Sequence, residues 1–176
     1  MGSTSNGAAR RAPSPSRAWR IGAGGGLAAL FIVLDRLTKA AVLGAVVNGD
    51  LYREVLPGVL GLRYVENTGA AFSMGEGHGY AFVALAAAVC VAVAAYLWRA
   101  RAVSRLEVVG LGMVVGGAIG NAVDRLLYGF VVDFLATEFI DFPVFNVADI
   151  GITVGVALAF IGFMFLSPAA RQDGGR

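Results

Sequence analysis

The sequence predicts an all-α membrane protein of four transmembrane helices, with a small extracytoplasmic β-sheet between helices 1 and 2. Three observations carry this. The chain is 57% hydrophobic and only 15% charged, with a mean hydropathy of +0.72, whereas a soluble domain is roughly half apolar and about a quarter charged. Apolar runs long enough to cross a bilayer recur along its 176 residues. Between the first two runs lies a polar connection with the turn signal Pro57-Gly58 among mixed apolar and polar residues. One domain is the natural count, and a net charge of +2 is too mild for a nucleic-acid partner.

Residues 1–20 are rich in Gly, Ser, Ala, Pro and Arg and bury too little to fold alone, so they are expected to be a disordered cytoplasmic tail. Arg10, Arg11, Arg17 and Arg20 precede an apolar run, the order of a signal peptide. The run continues past Asp35 through AAVLGAVV without a clear cleavage site, which favours an uncleaved first span at about 21–47. Asp35 and Lys39 interrupt it four residues apart, on one helical face, either as a self-neutralised pair snorkelling to the interface or as a pair aimed into the bundle. Residues 48–79 form a long connection in which the pieces around Pro57-Gly58, such as Val59–Glu66, read as short strands of a hairpin, and a long loop in a small protein usually has a task. The remaining spans fall at about 79–98, 106–127 and 148–166, within one four-helix transmembrane domain of 21–167, and 168–176 form a cytoplasmic tail. Glycines 110, 112, 116, 117 and 120 allow close helix approach in the third span.

Four spans place both termini on one side. Arginines flank the N-terminal tail, the turn at Arg99–Arg105 and the C-terminus, so the positive-inside rule places both termini in the cytoplasm. Asp35, Asn67, Asp124, Asp133 and Asp149 then converge at the outer end of the spans. An ionisable group in a membrane segment is costly and by default marks a working site.

No HExxH, CxxC, phosphate loop or nucleophile elbow is present, so neither a metal nor another cofactor is expected. Cys90 lies in an apolar run and reads as a small buried hydrophobe, and His78, the only histidine, reads as a solvated loop residue. What remains is a set of carboxylates beside Asn and Arg. Two close carboxylates share a proton, and one can act as base toward water while the other stays protonated. Arg125 follows Asp124 directly and is expected to hold it as a salt bridge, which leaves Asp133 and Asp149 as the working pair. The plain alternative is that all three are interfacial caps and loop charges. A transporter or proton channel also suits intramembrane carboxylates, but internal repeats and midplane charges are lacking. A structural subunit would lose stability rather than activity on aspartate substitution. The GxGD motif of another intramembrane aspartyl protease type is absent.

Five motifs in order, DRLTK at 35–39, ENTGAAFS at 66–73, GGAIGNAVDR at 116–125, VVDF at 131–134 and FNVADIGITVG at 145–155, resemble the lipoprotein signal peptidases (signal peptidase II). The resemblance implies a monomeric aspartic endopeptidase of the bacterial cytoplasmic (inner) membrane, multi-pass, with its active site near the outer face. It implies removal of signal peptides from prolipoproteins by a cut before a diacylglyceryl-modified cysteine, with membrane lipid as a further partner. On the family's catalytic positions stand Asp133 and Asp149, and on its supporting polar positions Asp35, Lys39, Asn67, Asn121, Asp124, Arg125 and Asn146. It also implies an outer-face helix and an extracytoplasmic sheet supplied by Asn48–Phe72.

Overall fold

The computed structural model describes residues 14–49, 52–69, 75 and 77–167. The chain runs α1 (Arg17–Val47), β1 (Tyr52–Leu56), β2 (Leu60–Asn67), α2 (Gly79–Arg99), α3 (Arg105–Leu127), β3 (Val131–Thr137) and α4 (Val147–Ile161), with a π-helical turn at Gly162–Leu166. Among the described residues, three segments are long and apolar enough to cross a membrane: Gly79–Arg99, Arg105–Leu127 and Val147–Leu166. α1 is longer than any of them at 31 residues, but Asp35, Arg36, Lys39 and several glycines dilute its apolar character.

The helices begin where their caps dictate. α1 starts at Arg17, because the Ser16 side chain accepts a hydrogen bond from Trp19 N, so Arg17–Arg20 are helical rather than part of a disordered tail. Residues 1–13 of that tail, and residues 168–176, lie outside the described residues. Ser104 and Glu107 form a reciprocal capping box on α3, and Asn146 and Asp149 form another on α4.

α3 is the central helix, packed against α1, α2 and α4. Its glycines make this possible. A Cβ at Gly116 would stand 2.7 Å from Ala28 O of α1, and one at Gly117 would collide with Ala148 O of α4. Neither position tolerates a side chain at this backbone separation. α2 buries only Leu97 and exposes Leu85, Val91 and Trp98, as expected of a helix whose solvent is hydrocarbon. Cys90 is accordingly half-buried, not the fully buried hydrophobe that the sequence predicts. His78 is exposed at the N-cap of α2.

The sheet departs from expectation. β1 and β2 form the predicted hairpin, turned at Pro57–Val59 with Gly58 at φ +66°. A third antiparallel strand, β3, extends it in the order β1-β2-β3 and comes from the connection between α3 and α4. The sheet is therefore not confined between helices 1 and 2. Among the described residues there is no separate outer-face helix.

Candidate active site

β3 is what carries the site to the bundle. Gly129, at φ +83°, turns the chain out of α3, and Val131, Val132 and Phe134 are buried along the strand. Pairing of Val65 with Asp133 and Asn67 with Val131 sets Asn67 beside Asp133. Asn67 Nδ2 donates to Asp133 Oδ2 at 2.8 Å. Asn67 in turn fixes its own loop, since its Oδ1 accepts Gly69 N at 3.0 Å.

Asn146, at the N-cap of α4, joins the two aspartates. Its Oδ1 accepts from Asp149 N at 3.0 Å, and its backbone N donates to Asp149 Oδ2 at 3.1 Å. Its Nδ2 donates to Asp133 Oδ1 at 2.6 Å and to Asn121 Oδ1 at 3.1 Å. Asn121 Nδ2 donates to Asp149 Oδ1 at 2.7 Å. Two amides on α3 and α4 thus hold two carboxylates from β3 and α4. Asp133 is 2% exposed and Asn146 0%. Burial pushes the Asp133 carboxyl up to about 7; the bonds from Asn67 and Asn146 oppose this, and the Asp149 charge adds to it.

A second cluster lies behind the first. Lys39 Nζ reaches Asp35 Oδ2 at 3.0 Å, Asp124 Oδ2 at 2.7 Å and Asn121 Oδ1 at 3.1 Å. Asp35 and Lys39 are therefore aimed into the bundle, and Asp35 Oδ1 also accepts Ala148 N at the start of α4. The expected Asp124–Arg125 salt bridge is not formed. Asp124 is paired instead with Lys39 and with Arg36, which also reaches Asp35 at 3.1 Å. Neighbours in sequence point to different sides of a helix. Asp124 faces α1, while Arg125 donates to Gly69 O at 2.7 Å and lies over the Phe82 ring at 4.7 Å.

The structure brings together all nine residues singled out in the sequence. It adds Arg36, Phe82 and strand β3. The strand was open to detection from Val131–Phe134, a β-branched and aromatic run after a glycine turn. Nothing local marked Arg36 as the partner of a residue 88 positions away. Among the described residues no cluster of His, Cys, Asp and Glu could hold a metal ion.

The aspartate pair borders a cavity of about 580 Å³. α2 contributes Phe82, Leu85 and Ala86, α3 contributes Ala118 and Ala122, and α4 contributes Ile150 and Thr153. The cavity is thus polar at the aspartates and apolar along the helices, a form suited to a ligand with a peptide end and a hydrocarbon end.

Comparison with known proteins agrees with this geometry. The family described as signal peptidase (SPase) II matches residues 27–165. A lipoprotein signal peptidase of Lactococcus lactis is 40% identical over 133 residues, covering 76% of this chain and 87% of its own. That of Enterococcus faecalis is 38% identical over 148 residues, covering 84% and 91%. A solved bacterial membrane enzyme superposes with a TM-score of 0.72 at 28% identity, covering 82% of this chain and 88% of the other. The chain belongs to the signal peptidase II family.

Proposed function

We propose that Asp133 and Asp149 are the catalytic carboxylates with which this member of the family removes signal peptides from prolipoproteins. The observation that carries the reading is the division of the four aspartates, three of them buried and Asp149 half-buried. Asp35 and Asp124 are ion-paired with Lys39 and Arg36. Asp133 and Asp149 are held by amides and have no salt bridge among the described residues. A carboxylate held by neutral donors can exchange a proton, and one clamped between cations is committed to its charge.

The pair shares one proton. The ionised member takes a proton from water, the resulting hydroxide attacks the scissile carbonyl carbon, and the protonated member gives its proton to the carbonyl oxygen. Collapse of the tetrahedral species returns a hydroxyl proton to the member that had given one and breaks the C–N bond, with the proton gained from water passing to the leaving amine. With its carboxyl pushed up to about 7, Asp133 keeps the protonated form within reach at neutral pH. Arg125 and Asn67, both lining the cavity, orient the substrate backbone. The apolar helix walls take the lipid tails of a diacylglyceryl-modified cysteine, whose affinity grows with the chain length buried.

The protein is a bacterial inner-membrane, multi-pass protein. We read it as a monomer with four spans. α1 counts as the fourth because its charged residues turn inward, leaving Leu30, Val33 and Leu37 exposed toward lipid. Both termini and the basic turn at Arg99–Arg105 then lie in the cytoplasm, and the aspartates near the outer face.

The test is cleavage of a diacylglyceryl-modified prolipoprotein and its unmodified form in detergent or lipid. Asp133→Asn and Asp149→Asn are each expected to abolish cleavage while the protein remains folded. Normal turnover by either variant would falsify the assignment.

A further inference from the structure

We infer that Thr153 is a positioning residue that caps the C-terminal end of the substrate's signal helix, one turn deeper than the aspartates. This rests on the peptidase reading above. The polar residues lining the cavity are Asn67, Asn121, Arg125, Asp133, Asp149 and Thr153. The first five belong to the hydrogen-bonded site. Thr153 stands apart from it. It is four residues after Asp149 on α4, on the same helical face and about 6 Å further along the axis. The lining that α2 and α3 contribute includes Ala86 and Ala118, whose side chains cannot donate a hydrogen bond.

A helical threonine normally satisfies its hydroxyl on the carbonyl four residues back. Thr38 does so in α1, donating to Leu34 O at 2.8 Å. The Thr153 hydroxyl makes no such bond, has no other partner among the described residues, and is exposed to the cavity.

The ligand's chemistry supplies the missing acceptor. A signal peptide entering with its N-terminus toward the cytoplasm presents its C-terminal end at the cut. The last four carbonyls of any helix lack intrahelical donors. In hydrocarbon an unpaired carbonyl is costly, so the enzyme must offer donors where the substrate helix unwinds. Arg125, Asn67 and Asn121 offer them beside the scissile bond. Thr153 offers one a turn earlier, at a carbonyl on the N-terminal side of the cut. It touches no reacting atom and sets where the helix ends.

The test compares wild type with Thr153→Val, which keeps the shape and removes the hydroxyl, and Thr153→Ser, which keeps the hydroxyl. The assay is steady-state cleavage of a diacylglyceryl-modified prolipoprotein in lipid, with thermal unfolding and pH–rate profiles of each variant. Thr153→Val is expected to raise KM roughly three- to tenfold, the range of one neutral hydrogen bond. Its kcat and pH profile stay unchanged, because binding is lost equally from ground and transition states. Thr153→Ser stays near wild type. An unchanged KM in Thr153→Val overturns the inference. So does an equal rise in the serine variant, which would assign the effect to packing. Failure of wild type itself to cut the modified substrate would overturn the peptidase reading, and this inference with it.

Discussion

Asn146 serves two purposes through two ends of one amide, and they can be separated. Its Oδ1 caps α4, and its Nδ2 holds Asp133 at 2.6 Å. Asn146→Ala removes both. Loss of an N-cap costs about 1 kcal/mol. A hydrogen bond to a charged group contributes roughly 1.5–3 kcal/mol. Asp133 retains Asn67 on its other oxygen, and Asn121 Oδ1 retains Lys39, so neither is left wholly unpaired. The alanine variant should therefore lose about 3–4 kcal/mol. Asn146→Ser keeps a cap acceptor but cannot reach Asp133, and should lose only about 2 kcal/mol. Unfolding in detergent, followed by denaturant or heat, measures the difference.

The second readout is pH. The Asn146 bond favours the ionised form of Asp133, so its removal moves that carboxyl further above about 7. The limb of the pH–rate profile that belongs to Asp133 then shifts to alkaline pH in the serine variant. Stability carries the same sign. Folded Asp133 keeps its proton to about 7, whereas a free carboxyl releases it near 3.8. The folded state thus binds more protons between these values, and stability falls as pH rises through them. In Asn146→Ser the fall extends to higher pH. Equal unfolding energies for the alanine and serine variants would refute the cap assignment. A serine variant with the wild-type pH profile would refute the link to Asp133.

Two other substitutions test the frame. Gly117→Ala puts a methyl into Ala148 O and should cost roughly 1–3 kcal/mol or more by overpacking. Gly22→Ala in α1 meets nothing within 4 Å and should be neutral or stabilising, and equal unfolding of the two would contradict the packing account. Lys39→Met leaves Asp35 and Asp124 with Arg36 alone and should cost about 3–5 kcal/mol. Arg36→Met, at a side chain 28% exposed, should cost less, and the reverse order in a denaturant titration would refute the idea that Lys39 is the main counter-charge.

The sequence discloses what composition and local order determine. Asn146 and Asp149 stand three apart before an apolar run, so a cap and a site residue are visible together. Asp35 and Lys39 stand four apart, so their pairing is visible, and only burial decides that they face inward. Adjacency in sequence does not give the partners of Asp124, which are Arg36 and Lys39 of α1. On a helix consecutive residues diverge by about 100°. Val131–Phe134 after the Gly129 turn marks β3 as a strand, but not which strand it pairs with. That partner, β2, lies before α2, and nothing within either segment announces the pairing.

The two carboxylate clusters explain each other. Four aspartates at one end of a bundle, three of them buried, would repel, and burial alone would favour their neutral forms. Asp35 and Asp124 face Lys39 and Arg36, two negative charges against two positive, so that cluster is balanced within itself. Lys39 still acts on the other pair through space, its charge favouring the ionised form of Asp133. One link between the two is Lys39 Nζ, which donates to Asn121 Oδ1 and so fixes which end of that amide faces Asp149. Asn121 must then present its Nδ2 to Asp149, and its Oδ1 also receives Asn146 Nδ2, which continues to Asp133. A cation on α1 thus sets the donor direction along two amides as far as β3. The cation touches neither aspartate of the pair. It leaves them the freedom to exchange a proton that a direct salt bridge would remove.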